Sequence, residues 1–226
     1  MPAKNSRKIY LENSYYHVYN RGVEKRTIFL DAQDTAVFLK YLKEYLQFKN
    51  EVDLRDSLSN PGIGYKEKDK ILKLLRLNNF YNQITLLAFC LVPNHFHFFI
   101  KQQHSNSLDS FMNSLFTRYS MYFNRKYHRV GPLFQGVYKA SLVTTEEYQL
   151  YLSKYIHKQA LRLQGEALQE KYPCSYMEYI GQRKTDWVHP EEILGYFKQN
   201  QINGSYKEFI MEQDTLNLPA ELLIET

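Results

Sequence analysis

The chain has 226 residues, enough for one substantial core or for a domain with a small appendage. Its 44% hydrophobic and 23% charged residues describe an ordinary globular protein, and 29 Lys and Arg against 24 Asp and Glu leave a net charge of +5. That mild excess permits a polyanionic partner without requiring one, and the absence of any uncharged apolar run of about 18 residues argues against membrane spanning.

The opening residues, MPAKNSRKIY, lack an apolar export core and carry a first basic cluster at Lys4, Arg7 and Lys8. A first strand is predicted around Tyr15 to Tyr19, with His17 and Tyr19 on one face and Tyr16 and Val18 on the other. Arg21-Gly22 ends it. Asp31 to Phe48 then shows apolar residues at helical spacing: Val37, Phe38, Tyr41, Leu42, Tyr45 and Leu46. Residues 50–82 are less regular, with a loop signal at SLSNPGIG and a short basic helix from Lys66 to Leu77. This stretch has too few apolar residues for its own core and reads as an insertion.

Gln83 to Leu91 and His95 to Lys101 form a predicted hairpin around Pro93-Asn94. Side chains alternate along a strand, so His95 and His97 share one face while Phe96, Phe98 and Ile100 point to the core. Two such imidazoles are half of a divalent-metal site, or simply two hydrogen-bonded strand histidines. Ser107 to Tyr127 follows as an amphipathic helix with Ser107 as its N-cap and Arg118, Arg125 and Lys126 on its C-terminal half. A loop containing Arg129 and the Phe134-Gln135-Gly136 turn leads to a fourth strand, Val137 to Val143. Thr144-Thr-Glu-Glu147 has the capping-box pattern of a helix running to about Leu163.

On that helix Leu152, Ile156, Ala160 and Leu163 form an apolar stripe facing the sheet. Tyr155 and Gln159 are i and i+4, neighbours at its edge. Gln159 can offer an amide oxygen to a metal and Tyr155 a phenolic nucleophile; with 20 tyrosines in the chain such a spacing arises readily by chance, and the residues alone favour Tyr155 as a core-edge aromatic. His157 faces away from Tyr155 and is not counted as a ligand. Lys158 and Arg162, on the same turn, suit backbone phosphates. The tail after Lys171 mixes short helices and turns. Cys90 and Cys174 lack any CxxC spacing, which suits a reducing cytoplasm and neither a disulfide scaffold nor a zinc knuckle.

The element order β-α-β-β-α-β-α predicts an α+β fold, a ferredoxin-like antiparallel sheet with helices on one face and a C-terminal helical appendage. The expected division is a domain over 1–165, with the insertion at about 50–82, and an appendage over 166–226, packed on it or partly flexible.

Five segments occur in order over roughly residues 9 to 200: YYHVYNRGVEKRTIFLD, AFCLVPNHFHFFI, LFTRYSMYFNRKYHRVGPLFQGVYKA, YLSKYIHKQALR and YPCSYMEYIG. In this order they resemble the HUH single-tyrosine transposases, most nearly the REP-associated tyrosine transposase branch of the insertion-sequence transposases. The resemblance implies an HUH nuclease fold in which His95 and His97 bind a divalent metal, Mg²⁺ or Mn²⁺, Gln159 completes the metal site and Tyr155 attacks DNA. It further implies cleavage and transfer of single-stranded, hairpin-forming DNA through a 5′-phosphotyrosine. Where the family usually has Asn-Pro after Tyr-Ile-His-x, this chain has Gln159-Ala160, which keeps an amide oxygen and frees the helix to continue. Asn20, Arg21, Arg118, Arg129, Gln135, Lys139, Lys158 and Arg162 are the expected DNA contacts, with His17 as a phosphate-positioning candidate. The family has monomeric and dimeric members, so a homodimer is among the expected assemblies, in a bacterial cytoplasm at the nucleoid. Two other readings stay open: a silent, domesticated DNA-binding protein, and a metal-dependent hydrolase that uses water.

Overall fold

Four β-strands paired antiparallel carry the architecture, and the computed structural model describes residues 10–164, 167–198 and 204–212. β1 (Ser14–Arg21), β2 (Ile84–Val92), β3 (His95–Gln102) and β4 (Lys139–Val143) lie in the order β2-β3-β1-β4. This is the ferredoxin-like order expected of an α+β chain. The long helices between strands, α1 (Ala32–Leu46) and α4 (Ser107–Lys126), pack together on one face. Strand alternation turns Tyr16, Val18, Phe96, Phe98 and Ile100 to that face, where they meet Phe38 and Leu42 of α1 and Phe111, Leu115 and Tyr119 of α4. A buried Phe or Leu of this kind contributes about 1.5–3 kcal/mol.

The expectation of helices on one face describes α1 and α4. The opposite face is covered as well. α5 (Glu146–Ala160) lays Leu152, Ile156 and Ala160 over Leu87, Ala88, Cys90 and Phe99. α6 (Tyr176–Tyr179), α7 (Glu191–Lys198) and α8 (Tyr206–Met211) extend this second cluster with Tyr179, Ile193, Tyr206 and Phe209. The cause lies in β2: a register irregularity between Leu86 and Ala88 gives the strand an extra residue, and both of its faces are apolar. The tail is stitched to the free side of β2. His189 N–H donates to the Leu86 carbonyl (2.9 Å), Tyr179 Oη to that of Leu87 (3.1 Å) and Ser175 N–H to that of Phe89 (3.0 Å), while Leu91 N–H donates to Pro173 (2.9 Å).

Several boundaries differ from the sequence reading. Glu51–Ser59 is a helix, α2, although its last residues carry the loop signal; Asn50 Oδ1 caps it by accepting from Val52 and Asp53 N–H. The short basic helix is α3 (Tyr65–Arg76); it buries Ile71 alone, and α2 buries nothing. Ser107 is the first residue inside α4, not its cap; Asn106 occupies the cap position without a side-chain bond. Thr145, not Thr144, caps α5, accepting from Tyr148 N–H at 3.2 Å.

α5 stops at Ala160 rather than near Leu163. The Ala160 carbonyl, which a further turn would need, accepts from Lys171 and Tyr172 N–H at 2.7 and 3.0 Å. The chain then continues as β5 (Leu161–Gln164), paired with β6 (Ala167–Glu170). Cys90 and Cys174 face each other across an isolated β-bridge as buried free thiols, and burial pushes both pKa values up. The basic cluster Lys4, Arg7 and Lys8 lies outside the described residues, as do 213–226. Among the described residues no helix is long and apolar enough to cross a membrane.

Candidate active site

The histidine face forms where β1, β2 and β3 lie side by side. In the β1–β3 register Arg21 is opposite His95 and Tyr19 opposite His97, and Cys90 of β2 flanks His97 on the other side. The His95 and His97 ring centroids are 5.1 Å apart with planes at 83°. Each imidazole is held by its Nδ1: His95 by Asn94 Oδ1 at 2.6 Å, His97 by His17 Nε2 at 2.9 Å. His97 is fully buried, and its Nε2 has no hydrogen-bond partner among the described residues.

Burial, with His17 and His95 beside it, holds the His97 pKa well below the ordinary value. Burial and then the Arg21 charge lower that of His95. Both rings are therefore neutral near neutral pH, the form that donates a lone pair to a metal.

α5 crosses this face because its apolar stripe seats on Leu87, Ala88 and Phe99. Tyr155, at the stripe's edge, is half-buried and sets its ring edge-on to His97 (centroids 5.5 Å, 89°) and to His17 (5.9 Å, 80°). Gln159, also half-buried, follows one helical turn later. Among the described residues no three His, Cys, Asp or Glu side chains converge as a metal-holding group. The Gln159 amide, on the Tyr155 side of the helix, is the expected third ligand. Two neutral imidazoles with fixed Nδ1 atoms and a partnerless buried Nε2 fit a divalent ion.

His157 is turned to the other side of α5 and buried. Its ring nitrogens meet Tyr206 Oη at 2.7 Å and Ser175 Oγ at 2.8 Å, which ties α5 to the tail. Burial, and then the Arg183 charge, push its pKa from 6.5 down to about 3. The unfolded chain takes up a proton below about pH 6.5 that the folded protein refuses, so this stability is complete above that pH and lost as pH falls towards 3. Urea denaturation at pH 7 and pH 5 is expected to show a loss of about 2 kcal/mol from this group. His157→Gln should flatten that slope; an unchanged slope would refute the assignment.

The expected DNA contacts separate into two groups. Arg21, Gln135 and Lys139 cluster at the open end of the histidine face. Arg21 Nε donates to Gln135 Oε1, Gln135 N–H donates to the Arg21 carbonyl at 2.8 Å, and exposed Lys139 lies 5.7 Å from the Tyr19 ring. The loop beside them exposes Val130 (95%) and Val137 (72%). Asn20 is buried and donates to the Gly136 carbonyl at 3.2 Å, bracing the turn. Arg118 lies on α4, on the far side of the sheet, stacked 3.8 Å over Tyr41 and paired with Glu44 at 2.6 Å. Arg129 holds its own loop through Asn124 Oδ1 at 2.8 Å. Lys158 reaches the Glu212 carbonyl at 3.5 Å, and Arg162 is exposed on β5. His17 is fully buried and bonded to His97. Asn94, legible in sequence only as a turn residue, holds His95; its signal was adjacency to the histidine.

No curated protein matches the chain. Among solved structures, a REP-associated tyrosine transposase bound to a REP hairpin is similar at 12% identity and a TM-score of 0.42, over 82% of this chain and 92% of that one. A putative transposase from Deinococcus radiodurans R1 is similar at 13% identity and a TM-score of 0.35, over 70% of this chain and 98% of that one. Both likenesses are loose. The family model described as "Transposase IS200 like" matches residues 63–159, a stretch that holds α3, β2, β3, α4, β4 and all but the last residue of α5. His95, His97, Tyr155 and Gln159 all lie inside that match, so this part of the chain is similar to the IS200-like transposases.

Proposed function

We propose that this protein is a transposase: a metal-dependent endonuclease and strand transferase for single-stranded, hairpin-forming DNA, working through a 5′-phosphotyrosine. The observation that carries the reading is Tyr155 edge-on to His97, whose neighbouring Nε2 is buried without a partner. His95, His97 and Gln159 would hold the ion, with Mg²⁺ or Mn²⁺ suiting phosphate oxygens. When bound, the ion supplies Lewis-acid polarisation of a phosphate oxygen.

The remaining work falls to the chain. Arg21, Gln135 and Lys139 bind the strand's backbone at the open end of the face. α5, fixed on the sheet by Leu152, Ile156 and Ala160, sets Tyr155 beside the scissile phosphate. Tyr155 Oη gives up its proton and attacks phosphorus; the bond to the 3′ oxygen breaks, and a 3′-OH leaves. The phosphodiester energy is kept in the tyrosine link, so a second 3′-OH can reverse the step and join a new strand. Tyr155 lies against the histidines of its own chain, which supports a site completed by one chain; the expected place of action is the cytoplasm, at the nucleoid.

The test incubates the protein with Mn²⁺ and single-stranded DNA flanked by a hairpin, followed by denaturing electrophoresis. A covalent protein–DNA band is expected. Cleavage without such a band would favour a hydrolase using water, and binding without cleavage a silent DNA-binding protein.

A further inference from the structure

We propose that His17 is a positioning residue: it holds His97 in the tautomer protonated at Nδ1 and so aims the His97 Nε2 lone pair at the divalent ion. This rests on the metal-site reading above. The His17 and His97 planes are 12° apart, with centroids 5.1 Å apart and Nε2 to Nδ1 at 2.9 Å. A centroid spacing equal to the bond plus roughly one ring radius on each side means that the rings meet edge to edge. The proton therefore lies along the acceptor's lone pair, the geometry of a strong directional bond.

That bond can be made in two ways, and they differ in consequence. If His17 donates, His97 carries its proton on Nε2, a buried donor with no acceptor among the described residues. A neutral His17 that accepts instead carries its own proton on its buried Nδ1, so the cost of about 1–3 kcal/mol for an unsatisfied buried N–H does not choose between the two; the ion does. If His97 donates from Nδ1, its Nε2 carries a lone pair, which a cation satisfies. The second arrangement is the one in which a metal-binding histidine gives its other ring N–H to an acceptor that fixes tautomer and orientation. Asn94 Oδ1 at His95 Nδ1 repeats it on the neighbouring ring at 2.6 Å. Both imidazoles thus present the same pattern, with Nδ1 anchored from behind. His17 reaches this position from a different strand, through the β1–β3 pairing that sets Tyr19 opposite His97 and His17 opposite Phe99.

Two variants and two measurements test the role. His17→Phe keeps a ring of similar bulk and removes the acceptor; His17→Gln restores an oxygen that can accept from Nδ1–H. Nitrogen-15 spectra of the protein with Mg²⁺ report which His97 nitrogen carries the proton, and titration calorimetry reports Mn²⁺ affinity. Wild-type His97 is expected to be protonated at Nδ1. His17→Phe is expected to move the proton towards Nε2 and to weaken Mn²⁺ binding about 10–100-fold, with His17→Gln recovering most of the loss. Wild-type spectra with the proton on Nε2 would overturn the role without any variant. So would a His17→Phe protein with unchanged tautomer and affinity. Wild-type protein that binds no Mn²⁺ would overturn the metal-site reading itself, and this role with it.

Discussion

Tyr155→Phe is expected to abolish the covalent protein–DNA adduct and to lower strand cleavage by a factor on the order of 10³ or more. The substitution removes one oxygen and leaves the ring whose edge meets His17 and His97. α5 keeps its apolar seat, so melting temperature and DNA binding should stay close to wild type. This separates loss of the nucleophile from loss of the fold. With 20 tyrosines in the chain, substituting an uninvolved aromatic is a necessary comparison, and Tyr148, one turn before Leu152 on the same helix, serves. An adduct that survives Tyr155→Phe would remove the tyrosine from the mechanism. Loss of the adduct with cleavage intact would hand the chemistry to water.

His97→Ala should reduce metal-dependent cleavage by a similar factor, on the order of 10³, by a different route. The imidazole is fully buried between His17, Tyr19 and Tyr155, so its loss removes a proposed ligand and the surface on which Tyr155 rests. Stability should also fall by about 1–3 kcal/mol, because His17 loses its partner inside the sheet. Arg21, Gln135 and Lys139 are untouched, so binding of single-stranded DNA should persist, as an electrophoretic mobility shift would show. Cleavage at the wild-type rate in saturating Mn²⁺ would sink the ligand assignment.

The parts of the fold legible in sequence are those set by local periodicity. The alternation in His95 to Ile100, with Pro93-Asn94 before it, contains the hairpin and the shared face of the two histidines. The apolar spacing in Asp31 to Phe48 contains α1, and Asp31 caps it by accepting from Asp34 N–H. What could not be read depends on partners distant in the chain. α5 ends at Ala160 because Lys171 and Tyr172 take its last carbonyl, and no local signal at Leu161 announces this. Asn20 and Arg118 have the composition of DNA contacts, yet one braces the Gly136 turn and the other stacks on Tyr41 across the sheet. His17 and Tyr155 are 138 positions apart, and only the strand order brings them within ring contact. The second core followed the same logic: β2 is apolar at nearly every position and so on both faces, and the helices that cover the second face arrive late in the chain.

The stitching of the tail to β2 bears on how copies of this chain can meet. β2 is an outermost strand, nine residues long and almost wholly apolar, the kind of border along which two sheets join or aggregates grow. Here the outward carbonyls of Leu86, Leu87 and Phe89 are already occupied by His189, Tyr179 and Ser175 of the same chain. A second molecule can extend the sheet on that side only by displacing them. A protein truncated before Pro173 would bare this border and should precipitate or associate through it, even with every residue of the histidine face still present.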